Sequence, residues 1–221
     1  MIRMARAALL VFAIALWGSA TAFAQPSGFD ASRGYAQFDI AATLGHTSDK
    51  AFGGEAGYDV RPEIAVFFEG GHIGNAATAD LQSGANLIAN NVGATANAIT
   101  KVNYYDVGVR YRFTLASRPT IHPYAAIGIG GAHVSNETTF IVNGTTYPPE
   151  ALGIGGGGDL NGSETKAFLM LGGGVTMAFG KRYLGELSYR WGGVFGVTSP
   201  VTGSGSTLST NRIQLGIGVT F

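Results

Sequence analysis

The chain has 221 residues, 35 of them glycine and none cysteine, and its 14 basic residues balance 14 acidic ones. That balance gives no support for a nucleic-acid partner, and the missing cysteine excludes disulfides. No apolar run reaches the about 18 residues that a helical membrane span requires, so any insertion into a bilayer must be by strands.

Residues 1–24 read as a secretory signal peptide. Arg3 and Arg6 stand near the start, an apolar run follows from Ala7 to Trp17, and Ala22-Phe23-Ala24 forms a small-x-small cleavage site. Cleavage before Gln25 leaves a single domain over residues 25–221, with twelve basic and fourteen acidic residues and a net charge of −2.

Period-two alternation then recurs along the chain. From Gly34 to Leu44, Ala36, Phe38, Ile40 and Ala42 alternate with Gln37, Asp39 and Thr43. A turn over residues 46–50 leads to a second strand, where Phe52, Ala56, Tyr58 and Val60 alternate with Glu55 and Asp59. Arg61-Pro62-Glu63 interrupts that ladder as a tight turn. A third strand over residues 64–72 sets Ile64, Val66 and Phe68 against Glu69, with Phe67 as the odd member. The stretch Ile73 to Thr100, rich in Ala, Asn and Thr, reads as a long polar loop.

The fourth strand, Lys101 to Phe113, sets Tyr105, Val107, Val109, Tyr111 and Phe113 against Asp106, Arg110 and Arg112. Two faces so unlike exclude a strand buried on both sides. A fifth strand spans residues 122–134, and Ser135 to Glu164 reads as a second long loop. A sixth strand over residues 165–179 meets the very short turn Gly180-Lys181-Arg182. The seventh strand then sets Tyr183, Leu187, Tyr189 and Trp191 against Glu186 and Arg190. Residues 193–210 read as a third loop. In the last strand, residues 211–221, Ile213, Leu215, Ile217, Val219 and Phe221 oppose Arg212 and Gln214.

Eight strands with mostly alternating short and long connections fit an all-β, antiparallel, up-and-down transmembrane barrel. Closure follows because an unpaired backbone group in hydrocarbon costs several kcal/mol, so the sheet can keep no edge. Eight tilted strands leave a lumen that side chains can fill. A soluble barrel with apolar residues inside is the rival; the aromatic strand ends and terminal Phe221 argue for apolar outside. On those residues, with the Pro-Tyr-Ala-Ala-Ile-Gly opening of the fifth strand and ELSYRW around Arg190, the mature chain resembles the small eight-stranded bacterial outer-membrane barrels. That family includes OmpA-type transmembrane domains and opacity-like surface proteins.

The resemblance implies residence in the cell outer membrane of a Gram-negative bacterium, contact with outer-membrane lipids, and a terminal signal, Ile217, Val219 and Phe221, read by the barrel-assembly machinery. It implies a barrel and no particular activity. A monomeric, non-enzymatic scaffold whose long loops bind an extracellular ligand is the expected function. A small channel and a lipid A-modifying hydrolase are the alternatives.

The face opposite the apolar one collects Asp39, Glu55, Asp59, Glu69, Asp106, Arg110, Arg112, Glu186, Arg190 and Arg212. In a barrel these point inward, as paired charges that fill the interior or as an ion path. His133 and Ser135 stand two apart in His-Val-Ser-Asn, which resembles the His-x-Ser-Asn of outer-membrane lipid A deacylases. A nucleophilic hydroxyl also needs an acid to orient its base, and Glu137 and Glu150 have no recognisable setting for it. Gly153, Gly155 and Gly158 match G-x-G-x-x-G without the flanking strand and helix of a dinucleotide site. Three Asn-x-Ser/Thr sequons, at Asn136, Asn143 and Asn161, mark polar loops only. The four scattered histidines lack ligand spacing, so no catalytic residue, metal or cofactor is expected.

Overall fold

A computed structural model describes residues 33–46, 48–115, 120–154, 160–180, 182–198 and 205–221. Residues 1–24, expected from sequence to be a signal peptide, lie outside the described residues.

Nine strands form: β1 (Gly34–Thr43), β2 (Lys50–Arg61), β3 (Ile64–Ile73), β4 (Thr95–Arg112), β5 (Ile121–Val142), β6 (Thr145–Tyr147), β7 (Ser163–Phe179), β8 (Tyr183–Thr198) and β9 (Gly205–Thr220). One helix, α1 (Ala79–Asn91), lies between β3 and β4, and a 3₁₀ turn, Pro149–Leu152, follows β6. Every pairing is antiparallel. β1 pairs with β2 on one side and β9 on the other, β4 pairs with β5, and β5 with β7, so eight strands close a ring and β6 stays outside it. The closing seam runs in register from Tyr35↔Thr220 to Thr43↔Arg212.

Alternation decides which face is which. Ile217 and Phe221 are 69% and 72% exposed, whereas Asp106 and Arg212 are 0% exposed, so the apolar face is outside and the charged face inside. A soluble barrel with an apolar interior is thereby excluded. Aromatics ring both ends of the outer face. On β8, Tyr183 and Trp191 stand roughly 27 Å apart along the strand, or about 21 Å along the axis at a tilt near 40°, close to the about 25 Å apolar band of such barrels.

The connections at one end are short: 62–63 between β2 and β3, 113–120 between β4 and β5, and 180–182 between β7 and β8. Gly180, at φ +65°, allows the last of these to turn without a Cβ penalty. At the other end the long loops read from sequence are corrected. β4 begins at Thr95 and β5 runs on to Val142, eight residues beyond Val134. β8 and β9 likewise extend into the third of them, to Thr198 and from Gly205. Asn143-Gly144, both at positive φ, turn β5 back into β6 as a tight two-residue hairpin.

Helix α1 occupies the middle of the first polar stretch, which reads from sequence as a loop. Thr78 caps it, its Oγ1 accepting from the Leu81 N–H at 3.2 Å. Leu81, Ala85 and Ala89, spaced by four, make a narrow apolar stripe. The stripe packs against Ala98 of β4 and, near its end, Phe140 of β5 and Leu160.

Candidate functional site: the filled lumen and the surface head

The lumen is packed in layers. Its centre is an ionic network in which Glu55 accepts from Arg110 at 2.7 Å and from Arg190 at 2.9 Å. Glu186 accepts from Arg110 at 2.9 Å and lies 3.5 Å from Arg190. Glu69 lies 3.4 Å from Arg212 and 3.8 Å from Arg190 Nε. Tyrosines complete it: the hydroxyls of Tyr35, Tyr104 and Tyr124 donate to Glu55, Glu69 and Glu186. Arg110 also stacks 3.9 Å above the Tyr124 ring and Arg212 4.1 Å above Tyr104.

The ion pairs join β2, β3, β4, β8 and β9 across the barrel, so that residues 143 positions apart in sequence, Glu69 and Arg212, are directly bonded. Inward glycines make room for the rings. A Cβ on Gly57 would lie 2.3 Å from the Tyr35 ring, and one on Gly108 2.4 Å from Phe67. Phe67, out of step with the apolar face in sequence, is an inward side chain whose ring crosses Gly108.

Toward the turn end, Arg112 donates to Asp59 at 2.6 Å, and a cavity of about 10 Å³, room for about one water, remains between Tyr35, Asp59, Arg112 and Thr220. Toward the loop end the inward face is apolar. Ile73, Val102, Ala132, Val134 and Val194 are fully buried there, with Phe168, Met170 and Leu208. Sequence reading missed this layer because it looked for charge on that face; its signal was Val102, Val134 and Val194 at positions in phase with Asp106, Gly130 and Arg190.

Of the ten charged residues singled out in sequence, Glu55, Glu69, Arg110, Glu186, Arg190 and Arg212 meet in the network, and Asp59 and Arg112 pair below it. Asp39 and Asp106 lie inside, buried, and have no guanidinium within 4 Å among the described residues. Ile217, Val219 and Phe221 project from the outer face of β9 beside the closing seam, where the Phe221 ring lies against Gly34 of β1.

The structure gives His133 and Glu137, named for the hydrolase alternative, other partners. His133 Nδ1 is 3.0 Å from Thr165 Oγ1, and the acid nearest in sequence, Glu137, is bonded to Lys101 at 2.8 Å. Among the described residues no group of three or more His, Cys, Asp or Glu is arranged to hold a metal ion. Part of the Gly153–Gly158 run lies outside the described residues.

Above the lumen the start of β4 and the end of β5 project as a paired ribbon with β6, and the loops become one packed head. Its strand edges are covered by side-chain amides. Gln82 of α1 donates to the Ala96 carbonyl at 2.9 Å and accepts from the Ala98 N–H at 3.1 Å. Asn75 accepts from Thr100 N at 3.1 Å, and on the opposite edge Asn161 accepts from Thr138 N at 2.7 Å. Covered edges cannot recruit a stray strand. Where β7 enters the head, Glu164 is held below the usual carboxylate range: burial opposes this, but hydrogen bonds from Lys166 and from the Thr198 backbone outweigh it.

A closed antiparallel barrel with an apolar, aromatic-ringed exterior and a charged interior is an outer-membrane β-barrel protein. The chain belongs to the outer membrane protein beta-barrel domain family, which matches residues 7–221. It resides in the cell outer membrane. Three solved structures are similar to the chain. The outer membrane protein OprG from Pseudomonas aeruginosa is 10% identical, with a TM-score of 0.53, covering 89% of this chain and 99% of that one. Neisserial surface protein A is 15% identical at 0.48, over 88% and 100%. The N-terminal barrel domain of Pseudomonas aeruginosa OprF is 14% identical at 0.46, over 86% and 99%. At these identities the likeness concerns the fold alone. No curated protein matches the chain.

Proposed function

We propose that this outer-membrane barrel is a non-enzymatic, non-conducting scaffold that holds its head at the cell surface to bind an external partner. The short turns would face the periplasm, as they do in outer-membrane barrels generally. The observation that carries the reading is the packing of the two long loops into one unit. Ala89 from the first packs with Phe140 and Leu160 from the second, with Ile88, Leu152 and Ile154 around them. Loops on a rigid scaffold are where binding is usually located, and two loops that stabilise each other present a preorganised surface. The filled lumen supports a closed state over a channel. Ile217, Val219 and Phe221 act as the segment the assembly machinery reads.

The test compares bacteria displaying the full chain with bacteria in which residues 76–99 and 137–161 are replaced by short turns, at equal amounts of inserted barrel. Adhesion to cell monolayers and self-aggregation are measured. Loss of both in the shortened form supports the reading, and unchanged behaviour contradicts it.

A further inference from the structure

One stretch of the outer wall is hollow. On β2 and β3 the outward positions below Phe52 and His72 are Gly54, Ala56 and Gly70, with Gly54 paired to Gly70 across the two strands. At Ala56 the hollow runs on into a groove of about 810 Å³ between Tyr58, Val66, Val107, Val109 and Ile127. On the opposite wall the same face of β8 is filled by Leu187, Tyr189 and Trp191.

Packing does not ask for glycine at position 70. A Cβ there would meet only the Tyr104 carbonyl oxygen at 3.6 Å and the Phe68 ring at 3.9 Å, both ordinary contacts, and its φ is not positive. A glycine inside a strand weakens it and often marks the close approach of a ligand.

The upper end of the hollow is polar. His72 Nδ1 lies 2.8 Å from Asn103 Oδ1 on β4, and the His72 ring packs on Phe52 with centroids 5.3 Å apart. An amide oxygen only accepts, so the imidazole donates and the Asn103 NH₂ keeps both its donors; with the amide turned round, the imidazole Nε2–H is the donor that remains. Either way the pair offers an N–H outward. The exposed Lys50, the next outward position on β2 beyond Phe52, adds an ammonium.

We propose that this hollow is a binding site for one lipid with a phosphate headgroup, taken from the leaflet at the loop end. The phosphate accepts from the His72–Asn103 pair beside Lys50, and an acyl chain runs over Gly70, Gly54 and Ala56 into the groove. The dimensions agree. His72 and the groove residue Val66 are six positions apart on β3, roughly 20 Å along the strand and about 15 Å along the axis at a tilt near 40°. That is half of the about 30 Å of hydrocarbon, the reach of one leaflet. The inference rests on the barrel's place in the membrane and is independent of what the head binds.

The experiment uses the full chain folded in maltoside micelles, titrated with phosphatidylglycerol and read by native mass spectrometry. A hydrogen bond to a charged group is worth about tenfold or more in affinity, so the first phosphatidylglycerol should bind about tenfold more tightly than any later one. Diacylglycerol with the same chains, which lacks the phosphate, should show no such first site. Gly70→Leu, which fills the hollow, and the double variant His72→Ala, Asn103→Ala should each weaken the first binding about tenfold. Ser209→Ala, beside Trp191 on the opposite wall, should leave it unchanged. A first lipid held no more tightly than the rest by the unaltered protein overturns the proposal, and that reading needs no variant to fold. Equal first binding of diacylglycerol overturns it too, as does an undiminished first site in Gly70→Leu and the double variant.

Discussion

Replacing Glu55 by Gln tests the interior network most sharply. Glu55 bonds Arg110 at 2.7 Å, Arg190 at 2.9 Å and the Tyr35 hydroxyl, with all three charged side chains at most 1% exposed. The amide keeps the shape but removes the charge, and its NH₂ opposes a guanidinium it cannot accept from. Breaking a buried pair costs about 3 to 5 kcal/mol. Glu186 still reaches both arginines, at 2.9 and 3.5 Å, so the expected loss is at the lower end, about 3 kcal/mol. The control is Glu137→Gln. Its pair with Lys101 is comparably short, 2.8 Å, but the two side chains are 52% and 47% exposed, and the loss there should be about 0 to 1 kcal/mol. Reversible urea unfolding in vesicles, followed by tryptophan fluorescence, measures both. Equal small losses would mean that water screens the lumen and that the network is not a dry plug.

Three further outcomes are expected. Deleting Phe221, or replacing it with Asp, should leave export intact and reduce protease-resistant, membrane-inserted protein; wild-type levels would remove that ring from the assembly signal. Val109→Arg, on the outer face of the bilayer part of β4, should cost about 2 to 4 kcal/mol, against about 0 to 1 from the charge at Phe113 near the interface, and equal tolerance in folding titrations would place that face in water. Because Glu164 is held below its ordinary value, its clip to Thr198 is present at neutral pH and is lost as pH falls through that lowered value. The Thr198 amide shift in NMR should therefore titrate below the usual glutamate midpoint of 4.5, and a midpoint at or above it would dissolve the clip.

The barrel was legible in sequence because period two survives burial on one side. Tyr105, Val107, Val109 and Tyr111 of β4 meet lipid while Asp106, Arg110 and Arg112 turn inward, and no tertiary contact competes with that pattern. The head was not, for a different reason at each element. Helix α1 buries mainly alanines under a thin stripe, so Ala-Asp-Leu-Gln-Ser-Gly-Ala-Asn carries little apolar contrast. The β5–β6 turn has a signal, Asn143-Gly144 between strand-forming residues, but the same residues open the sequon Asn-Gly-Thr, which marks a polar loop without a turn type. The extensions of β4 and β5 leave the bilayer, where lipid no longer enforces apolar residues outside, and Asn97, Thr139 and Glu137 end the alternation. Which carboxylates find an arginine could not be read from face alone. Asp106 and Arg110 share a face and a strand, yet Arg110 reaches across to Glu55 and Glu186.

Planar-bilayer recording of the unmodified protein tests the closed lumen most directly. Among the described residues the ionic layer and the apolar layer of Ile73, Val102, Val134 and Val194 above it fill the lumen with buried side chains, so no steady conductance is expected at neutral pH. Glu186→Arg, which removes a partner of Arg110 and Arg190 and adds repulsion, should open one. A stable, ion-selective conductance in the unmodified barrel would contradict the plug and make the protein a channel.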